Sequence, residues 1–140
     1  VQFLKSMDTG EKAVIDKLLP DFRLYRGKLA TKFTWDMLPE ELEELKTEIQ
    51  KMFRYAKDDA LEGRCNLLIL DEILGCIAGG FISMKEITDF IKSKPDDLEV
   101  VLTGRNAPEE LIELADYVSE VKAIKHPYQR GIPARKGIEF

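Results

Sequence analysis

The sequence predicts an α/β domain with a mostly parallel sheet flanked by helices, and three observations point to it. Short aliphatic runs, VQFL, FRLYR, NLLILDE and EVVLTGR, alternate with stretches of helical periodicity, and strands that alternate with helices pair in parallel with helices on both faces. NLLILDE is continuously aliphatic, the pattern of a strand buried on both faces. Asp71, Glu72, Thr103, Gly104 and Arg105 follow such runs, at the C-terminal strand ends where ligands gather in open α/β sheets. The 140 residues fit one domain, 1–140.

The elements follow in order. Val1–Leu4 reads as a strand, Thr9–Lys17 as a short helix and Phe22–Arg26 as a second strand. A loop carrying FTW comes next. Pro39 opens the clearest helix, in which Leu42, Leu45, Ile49, Met52, Phe53, Ala56 and Ala60 keep to one face of a 3.6-residue period until Gly63 ends it. After NLLILDE, Ser83–Lys92 is a shorter amphipathic helix closed before Pro95. EVVLTGR, Glu99–Arg105, repeats the pattern of aliphatic strand and polar loop, and Pro108 starts the helix EELIELA. SEVKAI, residues 119–124, is expected as a last short strand before a basic tail punctuated by Gly and Pro. The chain starts at Val1 rather than Met, already inside a strand pattern, so a segment upstream of Val1 is expected.

Composition excludes several classes. The net charge of −5 argues against a general nucleic-acid binder, which needs clustered excess Lys and Arg. The uncharged stretch from Ile73 to Met84 is broken by three glycines and is far shorter than the roughly 20 apolar residues of a membrane-spanning helix. No signal peptide is visible. Cys65 and Cys76 are not a C-x-x-C pair and His126 is the single histidine, so neither a zinc site nor a disulfide framework is supported; two buried free thiols in a reducing cytosol are expected.

LLILDEI delivers Asp71 and Glu72 to a strand tip, the arrangement with which P-loop nucleotide enzymes hold Mg²⁺, yet no G-x-x-x-x-G-K-[ST] loop occurs in the sequence. On its own the pair reads equally as a structural turn or a helix cap. TGRN adds a glycine, an arginine fork and hydrogen-bonding side chains at the same edge, suited to a polyphosphate and its metal. The competing reading pairs Arg105 with Glu109 or Glu110 on the next helix. Phe33 and Trp35, two residues apart, read either as a cofactor platform or as two core aromatics.

VQFLKS with TGE, FTW, LLILDE, VVLTGRNAPEELIELADYVSEV and KHPYQRGIPARKGIEF together resemble the ATP:corrinoid adenosyltransferase family of cobalamin biosynthesis and salvage, over essentially all of Val1 to Phe140. Residues 38–62 and 74–81 match only in character. The resemblance implies a RecA-like P-loop NTPase type of fold whose phosphate-binding strand, loop and helix lie before VQFL, outside the sequence given. It implies transfer of the 5′-deoxyadenosyl group of ATP to the cobalt of a reduced corrinoid, cobalamin or cobinamide, with release of triphosphate. Cobalt is then the nucleophile and no side chain is catalytic. It further implies Glu72 and Asp71 as Mg²⁺ ligands, Arg105, Thr103 and Gly104 at the polyphosphate, and Phe33 and Trp35 beneath the corrin ring, where they displace the lower axial ligand. Loss of that axial donor lowers the orbital that accepts an electron, so Co(I) becomes more accessible. A cytoplasmic homodimer served by an electron-donating reductase or flavoprotein, with no nucleic-acid or membrane partner, completes what the resemblance implies. Three positions depart from the family pattern: Ser6 and Lys32 stand where glycine is expected, and Pro133 interrupts the tail. Lys125, His126, Tyr128, Arg130, Arg135 and Lys136 form a basic cluster that reads as a corrinoid or ATP contact or as a solvated surface. Two other functions stay open, a non-catalytic corrinoid-binding protein and a generic P-loop ATPase fragment.

Overall fold

The computed structural model describes residues 1–5, 14–135 and 138. It is an α/β structure whose regular sheet pairs β1 (Leu67–Leu70) in parallel with β2 (Glu99–Leu102), in the register Leu67 with Glu99 through Leu70 with Leu102. Two further segments extend this sheet through isolated parallel bridges, Gln2 with Asp71 on one side and with Arg26 on the other. Asp71 N donates to Val1 O at 2.8 Å, Phe3 N to Asp71 O at 2.9 Å and Gln2 N to Tyr25 O at 2.9 Å. The order across this edge is therefore Arg26, Gln2, β1, β2, and the strand expected at Phe22–Arg26 is present only as the bridge at Arg26. The expected strand at Val1–Leu4 shrinks to a bridge because Leu4 turns to a φ of +53°, outside the extended region.

Helix α1 (Pro39–Leu61) has Pro39 in its first turn, and the Glu41 carboxylate accepts from Leu38 N at 2.6 Å. Its expected stripe is buried: Leu45, Ile49, Met52, Phe53, Ala56 and Ala60, with Leu42 packed at the edge. Gly63, at a φ of +70°, follows its end as the sequence predicts. Asp59 is also buried on this face, where it pairs with Arg64 at 2.6 Å and Arg23 at 3.1 Å. Arg23 thereby ties segment 22–26 to α1.

Helix α2 (Ile73–Ala78) follows β1 directly. Helix α3 (Met84–Ser93) starts at a reciprocal cap: Ser83 Oγ accepts from Glu86 N at 3.2 Å, and a Glu86 oxygen accepts from Ser83 N at 3.0 Å and from Ser83 Oγ at 2.6 Å. Lys94 is extended before Pro95, which stops the helix. Helix α4 (Glu109–Leu114) lies just after Pro108. Phe3, Leu68 and Leu70 join Ile87 and Phe90 of α3 and the α1 stripe in one core, with Phe53 and Phe90 edge to face at 6.0 Å.

Two expectations are corrected. Leu68, Leu70, Val100 and Leu102 face this core, but Leu67 and Val101 on the opposite face are largely exposed, so among the described residues helices cover one face of the sheet. An aliphatic run states that a strand is apolar and does not state how many layers cover it. SEVKAI forms no strand: Val121 and Ile124 are 96% and 89% exposed. Its propensity favours extension, but a strand needs a neighbouring ladder. Of the expected Thr9–Lys17 helix, residues 9–13 lie outside the described residues, as does Ser6, and a 3₁₀ turn spans Asp16–Leu18.

Phe90→Ala is expected to cost about 3–5 kcal/mol, read from the denaturant midpoint, because it leaves a cavity under α1. Ser83→Ala removes the α3 cap and is expected to cost about 1 kcal/mol at neutral pH. The hydroxyl and then the backbone N–H of Ser83 hold the Glu86 carboxyl below its ordinary 4.5. A depressed carboxyl stabilises the fold above the unfolded value and loses that contribution as pH falls through the folded one. The difference between Ser83→Ala and the unaltered protein should therefore narrow below about pH 4.5 in a pH-dependent melting series.

Candidate functional site

The C-terminal edge of the sheet carries an acidic tip. Asp71 follows β1, and both of its carboxylate oxygens accept hydrogen bonds, Oδ1 from Thr103 Oγ1 at 2.7 Å and Oδ2 from Gln2 Nε2 at 3.3 Å. Glu72 stands in the left-handed region, φ 62° and ψ 21°, at the N-cap of α2. A non-glycine residue there is strained by about 1–2 kcal/mol and persists only where its surroundings hold it. Thr103 does so: its hydroxyl accepts from Glu72 N at 3.0 Å and its carbonyl from Leu74 N at 3.2 Å. The Glu72 side chain is exposed and bonds to no described residue.

TGRN is clamped onto α2 by the same contacts. Gly104 has a φ of +141°, and a Cβ there would stand 2.7 Å from Leu74 Cβ, so the sharp approach of this loop requires glycine. Arg105 is exposed and makes no ion pair with a described residue, so the alternative pairing with Glu109 or Glu110 is absent. Its guanidinium is available to an anion at this edge. Among the described residues no three His, Cys, Asp or Glu side chains converge as a metal cage. Mg²⁺ commonly takes one or two carboxylates and completes its octahedron with phosphate and water oxygens, so Glu72 beside Asp71 fits that cation when a polyphosphate accompanies it.

Phe33 caps the 3₁₀ turn Thr34–Asp36 and Trp35 is its central residue, and their rings stack with centroids 4.4 Å apart and 7° from parallel. They are 65% and 76% exposed, which overturns the reading of two core aromatics. Salt bridge Lys32–Glu41, at 2.7 Å, holds this turn to the start of α1, and Glu48 of α1 accepts from Lys28 N and Leu29 N at 2.8 and 3.0 Å. Lys32, where glycine was expected, thus serves as an anchor. An apolar groove of about 430 Å³ opens beside Trp35, bounded by Leu4, Leu42, Gly75, Gly79 and Phe81. Gly75 joins the groove to the tip: a Cβ there would lie 3.7 Å from Glu72 Oε2.

His126 Nδ1 accepts from Tyr128 N at 3.2 Å and caps the turn Pro127–Arg130, a local structural role. Lys136 of the basic tail lies outside the described residues. Cys65 and Cys76 are free thiols, but only Cys76 is buried as expected, Cys65 being half-buried; burial, then the nearby Glu72, pushes Cys76 up to about 12, so it is no nucleophile. Gln2 and Gly75 were not singled out in the sequence. A glutamine inside the apolar VQFL was the available signal for the first; the glycine carries none without the fold.

A parallel α/β sheet with carboxylates and an arginine at its C-terminal edge, next to an aromatic-walled apolar groove, is the arrangement of an α/β domain whose candidate site lies at its strand ends. The family described as ATP:corrinoid adenosyltransferase BtuR/CobO/CobP matches residues 1–140, and the chain belongs to it. It is 39% identical over 142 residues to a corrinoid adenosyltransferase of Sinorhizobium, covering 100% of this chain and 65% of that protein. It is 31% identical over 141 residues to one from Pseudomonas aeruginosa and 28% over 141 to one from Escherichia coli K12, covering 68% and 69% of those proteins. The chain thus spans about two thirds of the length of the curated relatives it matches.

Gly104→Ala is expected to destabilise the protein by about 2 kcal/mol, through the overlap with Leu74 and the unfavourable φ, as a lowered denaturant midpoint.

Proposed function

We propose that this chain transfers the 5′-deoxyadenosyl group of ATP to the cobalt of a reduced corrinoid and releases triphosphate. One observation carries the reading: the groove walled by Trp35 and the carboxylate of Glu72 meet at Gly75. A flat macrocycle on the aromatic side and a metal-bound polyphosphate on the acidic side would then share one surface. The balance is simple. The Co(I) electron pair forms the bond to C5′, the C5′–O bond breaks, cobalt becomes formally Co(III), and the triphosphate takes the electrons of the broken bond.

Each side chain has a role in this scheme. Glu72 holds the cation that neutralises charge developing on the leaving triphosphate, with Asp71 beside it. Arg105 contacts the polyphosphate, and Thr103 and Gly104 shape the loop that presents it. Phe33 and Trp35 offer an apolar floor that keeps water and a lower axial donor off cobalt, which eases reduction. No general base is needed, because the reduced metal is itself the nucleophile. A P-loop of the RecA-like type belongs to the scheme, and the 140 residues contain no G-x-x-x-x-G-K-[ST] copy of it. The reading extends to a cytoplasmic homodimer supplied with electrons by a reductase or flavoprotein.

A second reading, a corrinoid-binding protein without transferase activity, rests on the exposed, stacked rings of Phe33 and Trp35 alone. The generic ATPase reading loses its support, since it required Phe33 and Trp35 in the core. An anaerobic absorbance assay with chemically reduced cob(I)alamin, ATP and Mg²⁺ separates the first two. The expected outcome is a light-sensitive cobalt–carbon product that reverts on photolysis. A cob(II)alamin spectral change without product would establish binding alone, and no change with either form would end both readings. Trp35→Ala should weaken corrinoid binding by about 10-fold, roughly 1.4 kcal/mol, without loss of the folded state.

A further inference from the structure

Four half-buried side chains form a hydrogen-bonded row across the ends of four adjacent segments. Arg26 donates to Gln2 Oε1 through Nε at 2.8 Å and also through Nη2. Gln2 Nε2 donates to Asp71 Oδ2 at 3.3 Å. Thr103 Oγ1 donates to Asp71 Oδ1 at 2.7 Å and accepts from Glu72 N at 3.0 Å. Chemistry fixes these directions. A guanidinium has only donors and an ionised carboxylate only acceptors, so the group between them must accept on one side and donate on the other. A carboxamide satisfies this in one orientation, which sets the oxygen and nitrogen of Gln2 without ambiguity.

We propose that Gln2 is a positioning residue for the acidic tip, holding Asp71 against Thr103 so that Asp71 orients the turn and Glu72 alone offers its carboxylate to a divalent cation. The proposal rests on the polyphosphate reading above and divides its two carboxylates by task. Asp71 has hydrogen bonds on both oxygens, and through Thr103 it fixes the residue that follows it. Glu72, turned outward by its left-handed backbone, has an exposed carboxylate that bonds to no described residue. The amide also keeps a full positive charge one side chain away from Asp71. An arginine directly on that carboxylate would neutralise the tip and oppose a cation; an amide polarised by arginine supplies a stronger N–H and leaves the tip anionic.

Mn²⁺ serves as the probe, titrated with and without ATP and followed by electron paramagnetic resonance, with corrinoid binding followed in parallel by quenching of Trp35 fluorescence. Gln2→Leu is expected to weaken Mn²⁺–ATP binding by about 10-fold, the usual scale for an outer residue that orients a ligand, and to leave corrinoid quenching unchanged. Thr103→Val should behave likewise, and Thr103→Ser, which keeps the hydroxyl, should bind as the unaltered protein does. The proposal is overturned if Gln2→Leu and Thr103→Val bind Mn²⁺–ATP normally. It is equally overturned if both variants lose corrinoid quenching in step with Mn²⁺, since the row would then only hold the fold. Should the unaltered protein take up no Mn²⁺ with ATP, the nucleotide reading falls and this inference falls with it.

Discussion

The parallel register of β1 and β2 is the constraint on which the rest depends. Leu70 pairs with Leu102, so Asp71 and Thr103 emerge side by side as the two strands end. The Thr103 hydroxyl then reaches both the Asp71 carboxylate and the Glu72 N–H. What sets the register is burial: Leu68 and Leu70 point into the core with Ile87 and Phe90. A slip of one residue would turn those leucines outward and Leu67 inward, at about 1.5–3 kcal/mol for each large side chain. The hydrophobic effect thus places a polar cluster that contributes nothing to it.

Strain is concentrated where the register ends. Glu72 in the left-handed region and Gly104 at +141° both adjoin the same clamp between the TGRN loop and the start of α2. Because the backbone turns sharply at Glu72, α2 departs at once and its side chain stays at the surface. The result is an exposed carboxylate on a rigid support. The burial of Ile73 and Leu74 and the Thr103 contacts offset the strain.

The two halves of the surface differ in physical character. On one side stand an anionic tip and an arginine; on the other, two stacked rings and an apolar groove remain in water. Exposed aromatic surface of this kind gains by covering, at roughly 25 cal/mol per Å². The loop that displays the rings is held by Lys32, Glu41 and Glu48 and by Ala30 and Met37 packed against the core, so the rings are positioned without being buried themselves. Two ligands, one charged and metal-bound and the other broad and flat, would match this division, and the proposed adenosyl transfer takes one of each.

Much of this was legible in the sequence because it depends on local pattern. The 3.6-residue stripe of α1 declared its buried face, Pro39 and Gly63 its ends, and LLILDE and VVLTGR gave two strands with polar residues at their tips. The motifs FTW and TGRN named the candidate site residues. Pattern does not count neighbours, however. The one face of the sheet covered among the described residues, the absent strand at SEVKAI and the exposure of Phe33 and Trp35 each depend on what lies alongside, and a residue's own propensity carries no such term. Gln2 is the sharpest case. Its type was visible in VQFL, but its meaning required Arg26 and Asp71 on either side, residues 24 and 69 positions away that only the parallel sheet brings into hydrogen-bonding reach.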